Sequence, residues 1–343
     1  MKGITSPLPL TAAQRQNLRA RFGPAVRFDV GLAPYTSSRI GGPADALLMV
    51  EDGEALADRV AWLWEHEYPF RILGGGSNVL VADSGVRGVV VLNRARRVIV
   101  EATSASPWAR AASGASLGSL ARRTVAAGLE GLEWAVGIPG TVGGAVVGNA
   151  GAFGSEIADV LDAVTLLSLE SGGKAVVNTI LGEELALGYR SSAIKREEMR
   201  AVVLEVTFDL MRTPDPAELR EWVSEIQARR RATQPPGASL GSMFKNPPGD
   251  YAGRLIDAAG LKGVRRGDAE VSPLHANFFL NRGKARAYDV WSLMIHVRRQ
   301  VYEQFGVLLM PEIELIGAWD PTQIAMLYGP PQVFSLRRGG KRE

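Results

Sequence analysis

Gly137-Ile-Pro-Gly-Thr-Val-Gly-Gly-Ala-Val-Val-Gly-Asn-Ala-Gly-Ala-Phe-Gly154 places seven glycines in 18 residues. The chain holds 39 glycines in 343 residues, so about two would be expected in such a window. Ile138, Val142, Val146, Val147 and Phe153 are too apolar for a solvated linker. The stretch therefore reads as backbone wrapped closely around a large flat ligand, with Gly137, Gly140, Thr141, Gly143, Gly144, Asn149 and Gly151 as the candidate contacts.

A second glycine loop precedes it. Arg71-Ile-Leu-Gly-Gly-Gly-Ser-Asn-Val-Leu-Val-Ala-Asp83 sets Gly74, Gly75, Gly76, Ser77 and Asn78 between two apolar strands. Glycine admits positive φ and lets backbone approach a ligand, and successive N–H groups in such a turn can form an anion nest. A hairpin needs only about two turn residues, so this loop holds more glycine than a turn demands. Neither loop is a dinucleotide fingerprint. At Gly74 the pattern GxGxxG fails because Val79 holds its last position, and at Gly137 the spacing is GxxGxxG. No GxxxxGK[ST] occurs either, so a P-loop is excluded. The two loops together predict a phosphate-bearing cofactor on a fold other than the usual dinucleotide binders.

Outward from the loops, strands are expected at Asp45–Val50, Phe70–Leu73, Val79–Val81, Val89–Leu92, Val98–Val100 and Trp108–Ala112. A hairpin is expected around 171–173, and a strongly β-branched strand at Val202–Leu210. Helices are expected at Thr11–Arg21 and Leu117–Ala127, and at Gly53–His66 with Leu56, Val60 and Leu63 on one face. Further helices are expected near 216–231, 251–259 and 285–305, the last striped by Val290, Leu293, Met294, Val297 and Val301. Asn277–Asn281 and Ile313–Ile316 read as strands. Many short strands among few helices argue for α+β, not a regular βαβ repeat. Two prolines in Arg212-Thr-Pro-Asp-Pro216 mark a domain boundary. The expected division is 1–100 (N-terminal segment and first lobe), 101–212 (second lobe), 213–318 (a further domain) and 319–343 (a mobile tail).

With 46% apolar and 22% charged residues the composition is that of a globular protein. The absence of cysteine removes disulfides, thiolate metal sites and thiol nucleophiles, and fits a reducing compartment. The N-terminus is not a signal peptide, and no run reaches the ~20 apolar residues of a membrane span. A net charge of +3 suits an anionic small molecule and is too dispersed for nucleic acid. Neither nucleic acid nor membrane is expected as a partner, and a cytoplasmic monomer is.

Some motifs imitate other chemistry. Gly-Ala-Ser-Leu-Gly occurs at 114–118 and 237–241 and matches the nucleophile elbow, but an acid and a histidine must accompany it, and only His66, His275 and His296 exist. Ser192–Lys195 and Ser242–Lys245 match Ser-x-x-Lys without its companion motifs. His66-Glu67 lacks the second histidine of a zinc helix, and no metal site is expected.

Eight blocks then stand in order between about residues 30 and 317: Tyr35–Asp45, Gly74–Asp83, Gly131–Gly154, Gly188-Tyr-Arg-Ser-Ser192, Gly241-Ser-Met-Phe-Lys-Asn-Pro247, Ala252–Asp257, His275-Ala-Asn-Phe278 and Pro311-Glu312. Their joint order resembles the UDP-N-acetylenolpyruvoylglucosamine reductase family. The resemblance implies a vanillyl-alcohol-oxidase-type, two-lobed FAD-binding domain followed by a C-terminal α+β substrate-binding domain. It implies non-covalent FAD, NADPH as co-substrate and a nucleotide-sugar substrate. Flavin N5 would give hydride to the enolpyruvyl ether, yielding UDP-N-acetylmuramate for peptidoglycan.

By the same resemblance Arg190 stabilises the enolate, Ser242 is the general acid, and Glu312 helps stabilise or protonate the intermediate. A protonated Glu312 would need an apolar setting, which Leu308, Leu309, Ile313 and Leu315 would supply. Lys245, Asn246 and His275 match positions lining the nucleotide-sugar site. Thr233 stands where a diphosphate-clamping lysine is common, with Arg230, Arg231 or Lys245 as candidate replacements. Asp268 replaces a common glycine, and Met310 and Glu314 flank Pro311-Glu312 where some relatives carry other charges. The span from Tyr189 to Gly241 is too short for the substrate-covering tyrosine loop of one subgroup. Two other outcomes stay open: a flavin oxidase of small alcohols or sugars, and a non-catalytic nucleotide-sugar binder.

Overall fold

The computed structural model of the chain describes residues 8–170 and 172–330. The first lobe opens with α1 (Ala12–Phe22), capped by Thr11 and Gln14 in a reciprocal capping box. It continues through β1 (Val26–Gly31), β2 (Pro43–Val50), α2 (Gly53–Glu65), β3 (Phe70–Leu73), β4 (Val79–Val81) and β5 (Val86–Asn93). Four of these strands form a sheet in the order β1-β2-β5-β3, with β2–β5 and β5–β3 parallel. α2 covers it with Leu56, Val60 and Leu63, all fully buried, as their spacing predicts.

The second lobe runs through β6 (Val98–Glu101), β7 (Trp108–Ala112), α3 (Leu117–Ala126), β8 (Leu129–Glu130) and α4 (Val142–Val147). A small hairpin of β9 (Gly151–Ala152) and β10 (Ser155–Glu156) follows, then β11 (Leu161–Leu169), β12 (Ala175–Leu181), β13 (Ala201–Asp209) and β14 (Met211–Arg212). The sheet order is β12-β11-β13-β7-β6, antiparallel throughout. β6 pairs with β7, so the lobes change between Asn93 and Val98, slightly before the expected break after residue 100.

The prolines at 212–216 precede a helix, and they do not lie where one core ends and the next begins. Asp215 caps α5 (Pro216–Thr233) by accepting from Ala217 and Glu218 N–H. The helix then buries Leu219 and Val223 in the second-lobe core, with Leu120 and Trp134. The third core starts only beyond α5.

That third unit contains β15 (Ala238–Ser242), α6 (Ala252–Ala258), β16 (Arg265–Arg266), β17 (Ala269–Val271), β18 (Phe278–Asn281), α7 (Ala287–Phe305), β19 (Glu314–Ile316) and α8 (Pro321–Tyr328). Its sheet order is β15-β18-β17-β16. The apolar stripe of α7 lies in the core, all five members buried. The mobile tail expected from 319 is corrected over 319–330. Asp320 and Gln323 box the start of α8, Leu327 is fully buried, and Arg298 donates to Met326 O and Gly329 O. Residues 331–343, including the basic run at 337–342, lie outside the described residues.

β19 leaves its own domain to pair in parallel with β4, Glu314 opposite Val79 and Ile316 opposite Val81. Asp83 accepts from Ala287 and Tyr288 N–H at the start of α7, and Asn281 donates to Ser38 O. Strand pairing and capping thus join the C-terminal domain to the first lobe. The expected α+β architecture, a two-lobed cofactor domain followed by a C-terminal α+β domain, is the one found.

Candidate active site

Gly74–Asn78 is not a hairpin turn, because β3 pairs with β5 whereas β4 pairs with β19. The loop crosses from one sheet to another and rests on the second glycine loop. A Cβ on Gly74 would lie 2.4 Å from Thr141 Oγ1, one on Gly75 3.0 Å from Gly140 Cα, and one on Gly140 2.8 Å from Ser77 Oγ. Ser77 Oγ donates to Pro139 O at 3.4 Å. Gly76 is left-handed (φ 61°), and a Cβ there would strike Tyr35 O, so the position requires glycine on both counts. Among the described residues the N–H groups of Gly75, Gly76, Ser77 and Asn78 find no protein acceptor. Four consecutive donors without protein acceptors on a glycine turn are what an anion nest requires.

The second loop is less open than expected. Thr141 accepts from Gly144 N–H and starts α4, whose Val142, Ala145 and Val146 are buried. Part of the stretch's apolar content therefore serves the core and not a ligand. Val142 and Gly143 N–H are taken by Ala115 O and Ser113 O. The loop's far end serves Arg190. Asn149 is fully buried at φ 41° and donates to Gly188 O. The Arg190 guanidinium donates to Asn149 O (3.2 Å) and Gly151 O (2.8 Å). Asn149 and Gly151, expected as cofactor contacts, are thus placed under the arginine.

Arg190 is left-handed (φ 54°) on the tight turn bridging Gly188 and Ser191. Its Nε donates to Glu312 Oε1 at 2.9 Å, and the guanidinium lies 5.2 Å from the Tyr189 ring centroid. The expected apolar setting of Glu312 is corrected here. Leu309 and Ile313 turn into the core, while the Glu312 side chain faces a guanidinium across the lobe boundary.

The segment 242–246 runs beside 310–312. Glu312 N–H donates to Met243 O, Lys245 N–H to Met310 O, and Phe244 bridges Pro311. Gly241 (φ 74°) and a register break in the β15–β18 pairing set Ser242 at the strand's end. The Ser242 hydroxyl has no protein partner among the described residues. Burial pushes the Lys245 ammonium below the usual lysine range, Lys195 and Arg190 push it further, and Glu312 and Glu314 oppose them. Lys195 Nζ pairs with Glu314 Oε1 at 3.0 Å. Asn246 Oδ1 accepts from Ala252 N–H, and its own N–H donates to Tyr189 Oη at 3.4 Å. Asn78 closes the circle by donating to Glu312 O.

His275 stands apart. Its Nδ1 accepts from Asn277 N–H, and its ring packs on Phe278 and beside Gly253. Burial holds it below the usual histidine range. No contact joins it to Arg190, Ser242 or Glu312. Asn277, almost fully buried, grips both sides of the Phe244 peptide and so fixes the 242–246 segment. It carried no role in the sequence beyond its place in a motif block. Thr233 spends its hydroxyl on Arg229 O, while Arg230 donates to Gly137 O at 3.3 Å. Two of the imitating motifs, at 114–118 and 192–195, are structural. Ser116 caps α3, and Ser192, fully buried, donates to Val147 O. No cluster of metal-ligating side chains occurs, and no helix is long and apolar enough to cross a membrane, among the described residues.

The run of N–H groups without protein acceptors, on a turn whose glycines let the two loops pack closely together, fits the diphosphate of a dinucleotide. Two lobes meeting at such a cradle, with a cationic site at the border of a C-terminal domain, define an FAD-dependent oxidoreductase. Comparison with known proteins narrows this. A family model for an FAD binding domain matches residues 44–176, and one for the C-terminal domain of UDP-N-acetylenolpyruvoylglucosamine reductase matches 233–316. Relatives of that name from Chloroflexus aggregans and Rubrobacter xylanophilus are 44% and 45% identical. The matches cover 83% and 87% of this chain and 95% and 97% of theirs. The crystal structure of the Thermus caldophilus reductase matches with a TM-score of 0.70 at 38% identity, over 85% of this chain and 99% of that one. The chain belongs to the UDP-N-acetylenolpyruvoylglucosamine reductase family, FAD-binding enzymes of peptidoglycan precursor synthesis.

Proposed function

We propose that this enzyme uses NADPH to reduce the enolpyruvyl ether of UDP-N-acetylenolpyruvoylglucosamine to the lactyl ether of UDP-N-acetylmuramate, as a cytoplasmic monomer. Non-covalent FAD supplies the hydride when bound. The chain has no cysteine and no histidine in either glycine loop that could hold the flavin covalently. The N–H groups of Gly75–Asn78 would hold its diphosphate, and the loop through Gly137, Gly140 and Thr141 would border the adjoining part.

The observation that carries the reading is the meeting of Arg190 with Glu312 beside the segment bearing Ser242. Hydride addition to the vinyl carbon leaves negative charge on the substrate carboxylate as an enolate. Arg190, held by two backbone carbonyls and Glu312, is a preorganised cation for that charge. Glu312 orients the guanidinium through Oε1 and keeps Oε2 for the substrate. Ser242 gives its proton to the carbon that bore the charge. Lys245 lowers the cost of the alkoxide left behind and, with the Asn246 side-chain NH2, faces the nucleotide sugar. His275 shapes the wall behind α6.

The decisive assay is NADPH oxidation dependent on the enolpyruvyl substrate. The purified protein should be yellow, with flavin bleached by NADPH. A colourless protein that takes up no FAD overturns the reading. Ser242→Ala should leave flavin reduction fast and slow reoxidation by substrate about 10²–10⁴-fold. Normal rates in both half-reactions would remove Ser242 as the acid. Rapid reaction of the reduced enzyme with oxygen would favour an oxidase instead.

A further inference from the structure

Arg94 follows β5 directly, and its Nη1 donates to the carbonyl of Gly74 at 2.9 Å, at the base of the first glycine loop. Among the described residues no carboxylate pairs with it. The charged group nearest in effect is Arg96, which opposes it. Arg87, in the same lobe, spends its charge on Asp45. A partly buried guanidinium without an acid is costly unless an anion compensates it. The loop it holds carries four consecutive N–H groups free of protein acceptors. A neutral donor would satisfy Gly74 O equally well. What the arginine adds is charge, in a partly desolvated place where charge acts strongly.

We propose that Arg94 is an electrostatic determinant of cofactor binding, its uncompensated charge stabilising a diphosphate on the N–H run of Gly75–Asn78. The inference rests on the reading of that loop as the FAD diphosphate site. Arg94 acts by charge at the base of the loop, and the ligand class it selects is a dianionic diphosphate over a neutral flavin.

The test compares FAD with riboflavin, which carries the same ring without phosphate. Dissociation constants are measured by flavin fluorescence on the full chain stripped of flavin. The wild type should favour FAD strongly. Arg94→Gln, whose amide can still donate to Gly74 O, should lose at least about tenfold of FAD affinity while riboflavin binding stays the same. Arg94→Lys should recover most of the loss, and FAD binding by Arg94→Gln should respond less to salt. Equal weakening of both ligands by Arg94→Gln, or an unchanged ratio, overturns the proposal in favour of a structural role. A wild type that does not distinguish FAD from riboflavin overturns the loop assignment itself, and the proposal with it. If Arg94→Gln fails to fold, Arg94→Lys against wild type across a salt series gives the same comparison, and identical salt slopes with a lowered FAD affinity count against the proposal.

Discussion

Arg190 and Glu312, 122 residues apart in the chain, meet at 2.9 Å across the border between the second lobe and the C-terminal domain. Neither has an alternative acidic or basic partner at bonding distance among the described residues. A left-handed non-glycine residue costs on the order of 1–3 kcal/mol, and Arg190 accepts that conformation to place three donors on Glu312, Asn149 O and Gly151 O.

Arg190→Met should therefore slow flavin reoxidation by the enolpyruvyl substrate by about 10²–10³-fold, the usual effect of losing one preorganised charge-stabilising donor. Reduction by NADPH should keep its rate. Stopped-flow flavin absorbance reads both steps, and equal slowing of the two would show a general loss of structure. Glu312→Gln, which can still accept from Nε, should be milder than Glu312→Ala.

The contact between the glycine loops makes a second prediction. Gly140→Ala puts a methyl 2.8 Å from Ser77 Oγ at φ 116°, so FAD affinity should fall. Adding Ser77→Ala removes the atom in the way and should recover part of the loss, whereas backbone strain at Gly140 remains. For Gly76→Ala no such rescue exists, because the obstacle is Tyr35 O, a backbone atom at 2.3 Å.

Lys245 predicts a pH dependence. Its folded pKa is below the ordinary lysine value, chiefly through burial and Lys195. The ammonium is thus lost at a lower pH than in the unfolded chain. KM for the anionic substrate should rise as pH climbs through that folded value, which lies below 10.5. Lys245→Arg should hold KM flat over the same range. Between the folded and unfolded values the unfolded chain binds more protons, so this group makes stability rise with pH there. Chemical denaturation at two alkaline pH values checks the sign.

The Lys195–Glu314 pair should matter little for stability. Glu314 is nearly half exposed, and exposed pairs contribute about 1 kcal/mol or less. Its electrostatic effect is the larger one. Glu314 raises the Lys245 pKa, so Glu314→Gln should move the alkaline rise in KM to lower pH without much change in melting temperature. A KM profile unmoved from wild type would separate the pair from Lys245.

Legibility in the sequence followed locality. The stripes of α2 and α7 and both glycine loops are visible because their pattern repeats within a few residues. The start of α8 was readable too: Asp320-Pro-Thr-Gln323 is a capping sequence with proline at the first helical position, outweighed by the glycine and proline that follow. In α5 the prolines hid a better signal, since Leu219, Val223 and Ile226 are spaced for a buried face. The pairing of β4 with β19 had no sequence signal, as each is three residues long and their partners are chosen by the whole fold. At the site, Arg190, Ser242 and Glu312 came from motif resemblance. The surroundings of Glu312, the grip of Asn277 and the unpaired charge of Arg94 are facts of three-dimensional proximity.

β4 leads out of the first glycine loop, and among the described residues its only neighbour in a sheet is β19. A ribosome that has made Val81 must add residues as far as Ile316 before that neighbour exists, an interval of about 10–50 s at ~5–20 residues per second. Until then the loop's exit is held only from within the first lobe, by Gly42 N–H on Ala82 O and the packing of Val81 against Leu32, and Asn78 waits equally long for Glu312 O. Full flavin affinity should therefore wait on β19, and a truncation that removes this strand should weaken a cofactor site whose loop residues were all made in the first half of synthesis.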